Sequence, residues 1–300
     1  MSLTVRAPAK INLHLGVGAP REDGFHPLTS VYQAVGVYDD LTVTGSAGWS
    51  VDLTVADWMD RSHVPLDGDN IVDRAAALLA AHHGLTVTGD VHIDKAIPVA
   101  GGMAGGSADA AAALVALDRL WGAHTSDDDL LSLAAELGSD VPFALVGGTA
   151  LGTGRGELVE PVTDNGTWWW VLVPSTTGMS TPAVYRHFDE LHPDAPAIPP
   201  MPEALLAALA AGDPHALAAA LHNDLQAPAL DLRPELGTLI DAGEAAGALR
   251  GVVTGSGPTC VFLCESADAA RATAADLRAS YDVVLVSTGA VAGAHTVTYV

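Results

Sequence analysis

Lysine is almost missing from this chain: of thirteen basic residues, eleven are arginine and two are lysine, Lys10 and Lys95. Basic residues are themselves scarce beside 36 acidic ones, which leaves a formal net charge of −23. Such a surface repels nucleic-acid phosphates and anionic lipid, so neither is an expected partner. Cysteine is as rare, with only Cys260 and Cys264. Four residues apart in a strand, they would project to one face about 13 Å apart, too far for a disulfide. They read as buried free thiols of a protein in a reducing cytoplasm. No apolar run approaches the roughly 18 residues of a membrane helix. Met1 to Arg6 lacks the apolar core of a signal peptide and reads as a strand. No internal repeat or low-complexity tail is present.

Apolar residues are plentiful at 49% and glycine numbers 31, enough core for one large domain or two ordinary ones. The densest glycine run is Pro98-Val99-Ala100-Gly101-Gly102-Met103-Ala104-Gly105-Gly106-Ser107-Ala108-Asp109. Upstream, Val91 and Ile93 alternate with polar residues as in a strand. Downstream, Ala110, Leu114, Leu117 and Trp121 recur at helical spacing, with Ser107 or Asp109 as the expected cap. Strand, glycine loop and helix N-terminus together aim free N–H groups and the positive end of a helix dipole at one spot, which suits a phosphate. A plain glycine-rich turn before an alanine-rich helix would look the same. The run is not a Walker A motif, since no Gly-Lys-Ser/Thr follows, and it sits too far along the chain for a Rossmann fingerprint.

Leu3 to Val17 alternates apolar and polar residues, a long strand that puts Lys10 and Asn12 on one face. On that pattern alone the face is equally a solvated one. Arg21-Glu22-Asp23-Gly24 reads as a turn before Phe25 and His26, and a strand follows from Thr29 to Val37. Asp69 or Asn70 is an expected cap for a helix carrying Ile71 to His82. Ser126-Asp127-Asp128-Asp129 resembles a capping box for a helix ending at Gly138. Asp140 is then the natural N-cap of a short helix with Pro142 in its first turn. Gly147 to Gly156 punctuate a hairpin. Composition shifts near residue 160, where Trp168-Trp169-Trp170 opens a new strand whose rings suit packing better than base stacking. A proline-rich loop from Pro193 to Pro202 precedes helices near Glu203 to Ala211, His215 to His222 and Glu235 to Ala246. A second glycine turn, Gly255-Ser256-Gly257, leads into a Cys260 to Cys264 strand, a helix to Ser280 and a last strand from Val283 to Ser287. The order of elements predicts an α+β class with two domains, residues 1–160 and 161–300.

Five of these segments, in this order, resemble the galactokinase–homoserine kinase–mevalonate kinase–phosphomevalonate kinase (GHMP) superfamily. They are Pro8-Ala9-Lys10-Ile11-Asn12-Leu13, Arg21 to His26, the Pro98 to Asp109 loop, Gly138-Ser139-Asp140-Val141-Pro142 and Gly255-Ser256-Gly257. The likeness is closest to the branch that phosphorylates a cytidyl diphosphate alcohol on its 2-hydroxyl, on the methylerythritol moiety. The resemblance implies a GHMP fold: an N-terminal domain like the second domain of ribosomal protein S5 and a ferredoxin-like C-terminal domain. It implies ATP and Mg²⁺ as co-reactants, a small-molecule substrate and no assignable oligomeric state. Asp140 would receive or orient the proton of the attacking hydroxyl, and Lys10 would counter charge on the reacting oxygens. Pro98, Val99, Ala100, Gly101, Gly102, Met103, Ala104, Gly105, Gly106 and Ser107 would cradle ATP phosphates, with Asn70 and Lys95 near the adenine. Asn12, Phe25, His26, Thr181, Tyr185, Gly255 and Ser256, with Asp140, would hold the cytidyl substrate.

Three departures stand out. Phe25 replaces the usual tyrosine, so a hydroxyl is missing while the ring remains. Ala104 replaces a loop glycine, which predicts an αR or β backbone there. Ala108 replaces a serine whose hydroxyl would otherwise serve metal or phosphate, leaving Ser107, Asp109 or water to substitute and the metal ligands unassigned. Two other readings are a sister kinase for an alcohol such as homoserine or mevalonate, and a nucleotide-binding regulator of the same fold without catalysis. The Asp-Gly-Phe-His segment argues against the first, and Lys10 with Asp140 against the second.

Overall fold

A computed structural model describes residues 2–61, 64, 70–175 and 177–298. The chain begins with β1 (Ser2–Val17), β2 (Leu28–Thr44), β3 (Trp49–Val55), α1 (Ile71–His83) and β4 (Gly89–Lys95). Three helices follow, α2 (Gly105–Trp121), α3 (Asp127–Leu137) and α4 (Val141–Val146), then β5 (Thr149–Thr153), β6 (Leu158–Pro161) and β7 (Trp168–Val173). The C-terminal half adds α5 (Thr181–Leu191), α6 (Glu203–Ala211), α7 (Pro214–Ala220), β8 (His222–Asn223), α8 (Gln226–Leu232) and α9 (Glu235–Ala245). It closes with β9 (Arg250–Val253), β10 (Cys260–Cys264), α10 (Ala267–Leu277), β11 (Leu285–Gly289) and β12 (His295–Val297). No helix among the described residues is long and apolar enough to cross a membrane.

The strands join one sheet whose main order is β12-β1-β2-β11-β7-β10-β9. Its hub is β2, which runs on to Thr44, well past the expected end at Val37. That length gives it room for β1 along one edge and β5, β11 and β4 in succession along the other. Twice β1 slips register against β2, between Pro8 and Ala9 and between Asn12 and His14. Such bulges re-aim side chains. At the second one the Asn12 N–H leaves the ladder and donates to Thr254 Oγ1 at 3.0 Å.

Sheet continuity crosses residue 160, because β11 pairs with both β2 and β7 and β12 returns to β1. Two apolar clusters lie on the two faces of the C-terminal strands. In β7, Trp168, Trp170 and Leu172 face one cluster and Val171 and Val173 the other, the period of two that a strand imposes. The first cluster is capped by α2, whose buried face is largely alanine. Small side chains let that helix lie close on β1 and β2 and bring its N-terminus to the end of the sheet.

Several expectations shift. Ser126 caps α3 as read, accepting from the Asp129 N–H at 3.2 Å, and Asn70 caps α1, accepting from the Val72 N–H at 2.9 Å. Asp69 lies outside the described residues. The last expected strand sits two residues further on, at Leu285–Gly289, and β12 follows it. Short α8 and β8 carry too few residues for a periodic pattern. Cys260 and Cys264 are free, buried thiols on one face of β10, and burial raises both above the ordinary thiol range, Cys260 to about 12.

Candidate active site

The two glycine turns meet beside β1. Lys10 N–H donates to Met103 O at 3.2 Å and Thr259 N–H to Gly101 O at 3.3 Å. Gly102 has φ +79°, and a Cβ there would overlap Thr254 O, so the close approach of the two turns requires glycine at this position. Asn223 holds the second turn from below, donating from Nδ2 to Val253 O and Gly255 O at 2.8 Å each.

The loop ends differently from the sequence expectation. Ala104 takes the left-handed conformation, φ 58° and ψ 36°, and no side chain caps α2. Ser107 and Asp109 lie inside the helix and are not its caps. The loop must reverse to let Ala104 O accept the Ala108 N–H at 2.9 Å and start the helix. A Cβ in that region costs about 1–2 kcal/mol. Gly105 packs its Cα against Ile97, whereas a Cβ at Gly106 would meet nothing within 4 Å. Gly106, not Gly105, is therefore the open glycine of the helix start. No side chain takes the first N–H groups of α2, which leaves them available to an anion.

In front of this loop lies a cavity of about 690 Å³. At one end is Lys10, 7% exposed, whose Nζ donates to Asn12 Oδ1 at 2.7 Å and stands 3.7 Å from Asp140 Oδ2. Asn12 is fixed in turn by donating from Nδ2 to Ser30 Oγ at 2.9 Å. Tyr32 lies under the ammonium, ring centre 5.5 Å away. Asp140 precedes α4 but makes no side-chain cap bond, so its carboxylate is left to face Lys10. Asp140 thus holds the N-cap position as read, with Pro142 in the first turn, but its side chain does not cap. Burial, reinforced by the charge of Asp140, raises the Tyr185 and Tyr32 phenols above their ordinary range, which keeps both neutral.

The other end is built by α5 and the segment after β1. His26 Nε2 pairs with Asp189 Oδ1 at 2.8 Å, and its ring stands 4.9 Å from that of Tyr185. Thr181 and Ser256 share a hydrogen bond between their hydroxyls, 2.8 Å apart. Phe25 is half exposed, with the Arg155 guanidinium 4.8 Å from its ring centre. Asn12, Phe25, His26, Thr181, Tyr185, Gly255 and Ser256 thus line the same cavity as Lys10 and Asp140. Tyr32, Arg155, Arg186 and Asp189 line it too and went unread in the sequence. Arg186 and Asp189 share with Thr181 and Tyr185 the i, i+4, i+5, i+8 face of α5, a signal visible only once that helix is recognised.

Lys95 and Asn70 do not line this cavity. Lys95 Nζ is buried and reaches Asp39 Oδ2 and Asp109 Oδ2, at 2.6 Å each. Burial works against its charge, yet the two carboxylates prevail and raise its pKa. Asp39 Oδ1 accepts the Ala96 and Ile97 N–H groups at 2.7 and 2.8 Å. The resemblance puts Lys95 near the adenine, and in the structure its ammonium is committed to carboxylates that fasten the start of the loop. Asp109 Oδ2 is committed to the same ammonium, and its Oδ1 is buried without a hydrogen-bond partner. Pro98 and Val99 line a second cavity of about 280 Å³, with Trp58, Met59 and Pro174 on its far wall.

Comparison with known proteins agrees with this geometry. The GHMP kinases N terminal domain matches residues 70–148 and the GHMP kinases C terminal domain residues 205–283. A 4-diphosphocytidyl-2-C-methyl-D-erythritol kinase of a Nocardioides species is 73% identical over 296 residues, covering 98% of this chain and all of that one. The enzyme of that name from Thermobifida fusca is 57% identical, covering 93% of this chain and 92% of its own. The crystal structure of a 4-(cytidine 5'-diphospho)-2C-methyl-D-erythritol kinase superposes with a TM-score of 0.78 at 31% identity, covering 97% of this chain and all of that one. Identity of 73% over nearly the whole chain, both matched domains and a shared fold place the chain in the 4-diphosphocytidyl-2-C-methyl-D-erythritol kinase family of GHMP kinases.

Proposed function

We propose that the protein transfers the γ-phosphoryl group of ATP to the 2-hydroxyl of 4-diphosphocytidyl-2-C-methyl-D-erythritol, in the methylerythritol phosphate route to isoprenoid precursors. The observation that carries the reading is Lys10 and Asp140, 3.7 Å apart, in one cavity with aromatic rings and His26. The hydroxyl oxygen bonds to the γ-phosphorus as the bond to the bridging oxygen breaks and ADP leaves. Asp140 takes or orients the hydroxyl proton, and Lys10, steadied by Asn12, faces the charge that develops on the oxygens. The transition state is loose, so positioning by the loop and these side chains supplies most of the effect.

The phosphates would lie on the open start of α2, and the adenine in the smaller cavity behind Pro98 and Val99. Among the described residues no group of three or more His, Cys, Asp or Glu is placed to hold a metal. Mg²⁺ commonly binds through one or two carboxylates and substrate phosphates. The donors present fit that mode, with Asp140 the carboxylate beside the reacting end and Ser107 in the first turn of α2. When bound, the ion would neutralise part of the phosphate charge. Two lobes dividing near residue 160 and a reducing cytoplasm, where Cys260 and Cys264 stay free, belong to the same reading.

The base end supplies the test. Tyr185 and Phe25 line the cavity with their rings, and a stacked base gains about 1–3 kcal/mol per ring. Tyr185→Ala is expected to raise the KM for the cytidyl substrate by about ten- to a hundredfold while the KM for ATP stays near the wild-type value. Steady-state kinetics of both proteins decides it. An unchanged cytidyl KM would move the base elsewhere.

A further inference from the structure

The cavity carries three cations, Lys10, Arg155 and Arg186, on a chain with thirteen basic residues and a formal charge of −23. Its carboxylates are Asp140, beside Lys10, and Asp189, beside His26. The ammonium of Lys10 is directed at Asn12 and Asp140, which leaves the two arginines without a part in the transfer. Arg155 is carried on the turn between β5 and β6, and that turn is pressed onto the reaction centre. A Cβ at Gly152 or Gly156 would overlap the Tyr32 ring or hydroxyl, so both positions hug the ring under Lys10. The Arg155 guanidinium lies over Phe25, with Glu157 Oε1 3.8 Å from its Nε as a loose partner. Arg186 follows Tyr185 on α5 and has no hydrogen-bond or ion-pair partner among the described residues, despite 36 acidic residues in the chain. Among the described residues, seven of the eleven arginines pair with a carboxylate, Arg6, Arg21, Arg61, Arg155, Arg233, Arg250 and Arg271, and Arg186 is among the four that do not.

We propose that Arg155 and Arg186 form a clamp for the diphosphate of the substrate and set the preference for a diphosphate ester over the bare nucleoside. The proposal rests on reading this cavity as the cytidyl site. The Arg155 guanidinium lies over one of the rings assigned to the base, and Arg186 directly follows the other on α5 and lines the same cavity. The planar fork of arginine matches phosphate oxygens in pairs, which an ammonium does not. Local cations are also what an acidic protein needs to admit a dianion at all. The ring of Phe25 has no hydroxyl to offer, so its contribution is the platform on which Arg155 rests.

The test uses the full-length protein and two probes, CDP and cytidine, titrated by calorimetry in metal-free buffer. Wild type is expected to bind CDP about tenfold or more tightly than cytidine, and added salt to weaken CDP alone. Arg155→Gln with Arg186→Gln keeps planar, polar side chains and removes both charges. This double variant is expected to bind cytidine within about threefold of wild type and to lose most of its preference for CDP. A double variant that keeps the wild-type ratio overturns the clamp. Equal binding of the two probes by wild type also overturns it, while leaving the base site standing. A wild type that binds neither probe overturns the cytidyl reading of the cavity and the clamp with it.

Discussion

Asp140→Asn is expected to lower kcat by about 10²-fold or more while the fold persists. The amide has the size of the carboxylate and keeps one oxygen, but it neither accepts a proton nor presents a charge to Lys10, 3.7 Å away. A purely capping role would predict little change in stability or turnover, because asparagine caps a helix as well as aspartate does. Asp140 makes no side-chain cap bond to α4, so no cap is lost on substitution. Pre-steady-state measurement of ADP formation separates chemistry from product release, and a thermal melt checks the fold. Near-normal turnover with an intact fold would remove Asp140 from the chemistry.

The second large effect lies away from the cavity. Lys95→Met is expected to destabilise the protein by about 3–5 kcal/mol, the usual result of removing one partner from a buried ion pair. The variant leaves Asp39 and Asp109 adjacent and buried, with no cation between them. Asp109 already has one buried oxygen without a hydrogen-bond partner, and burial raises its pKa despite the pull of Lys95. Adding Asp109→Asn to Lys95→Met removes one of the stranded charges and should recover part of the loss. Urea unfolding of the single and double variants gives both numbers. If instead Lys95→Met kept wild-type stability and only the KM for ATP rose, the ammonium would be a nucleotide ligand after all, as the sequence alone suggested.

That reversal shows where sequence reasoning succeeds. Lys10, Asn12 and Asp140 were legible through the resemblance of five segments in order, because the local pattern alone read equally as a solvated strand face and a helix cap. The α2 helix and its glycine loop were legible in the local pattern itself. Lys95 was not, because its partners are far off in sequence: Asp39 by 56 residues and Asp109 by 14. A lysine beside a phosphate loop looks like a ligand until the strand and helix that bury it are in place. Ala104 was misread because its substitution for glycine argued against a positive φ, whereas the helix start demanded one. Arg155 reaches the cavity from a hairpin turn that nothing local marks, and Asp189 from a face of α5 that is legible only once the helix is recognised beyond Tyr185.

The central claim is the identity of the accepting alcohol, and it is tested most directly by ATP-dependent ADP release over a panel of alcohols, with the product located by phosphorus NMR. The panel is 4-diphosphocytidyl-2-C-methyl-D-erythritol, methylerythritol 4-phosphate, homoserine and mevalonate, each at saturating ATP. The account predicts rapid turnover of the first alone, with the new phosphate on the 2-hydroxyl, because remote binding energy at the base end supports the reacting centre. Turnover of the cytidyl-free phosphate, homoserine or mevalonate at the same rate would contradict it and leave only a GHMP kinase of another specificity.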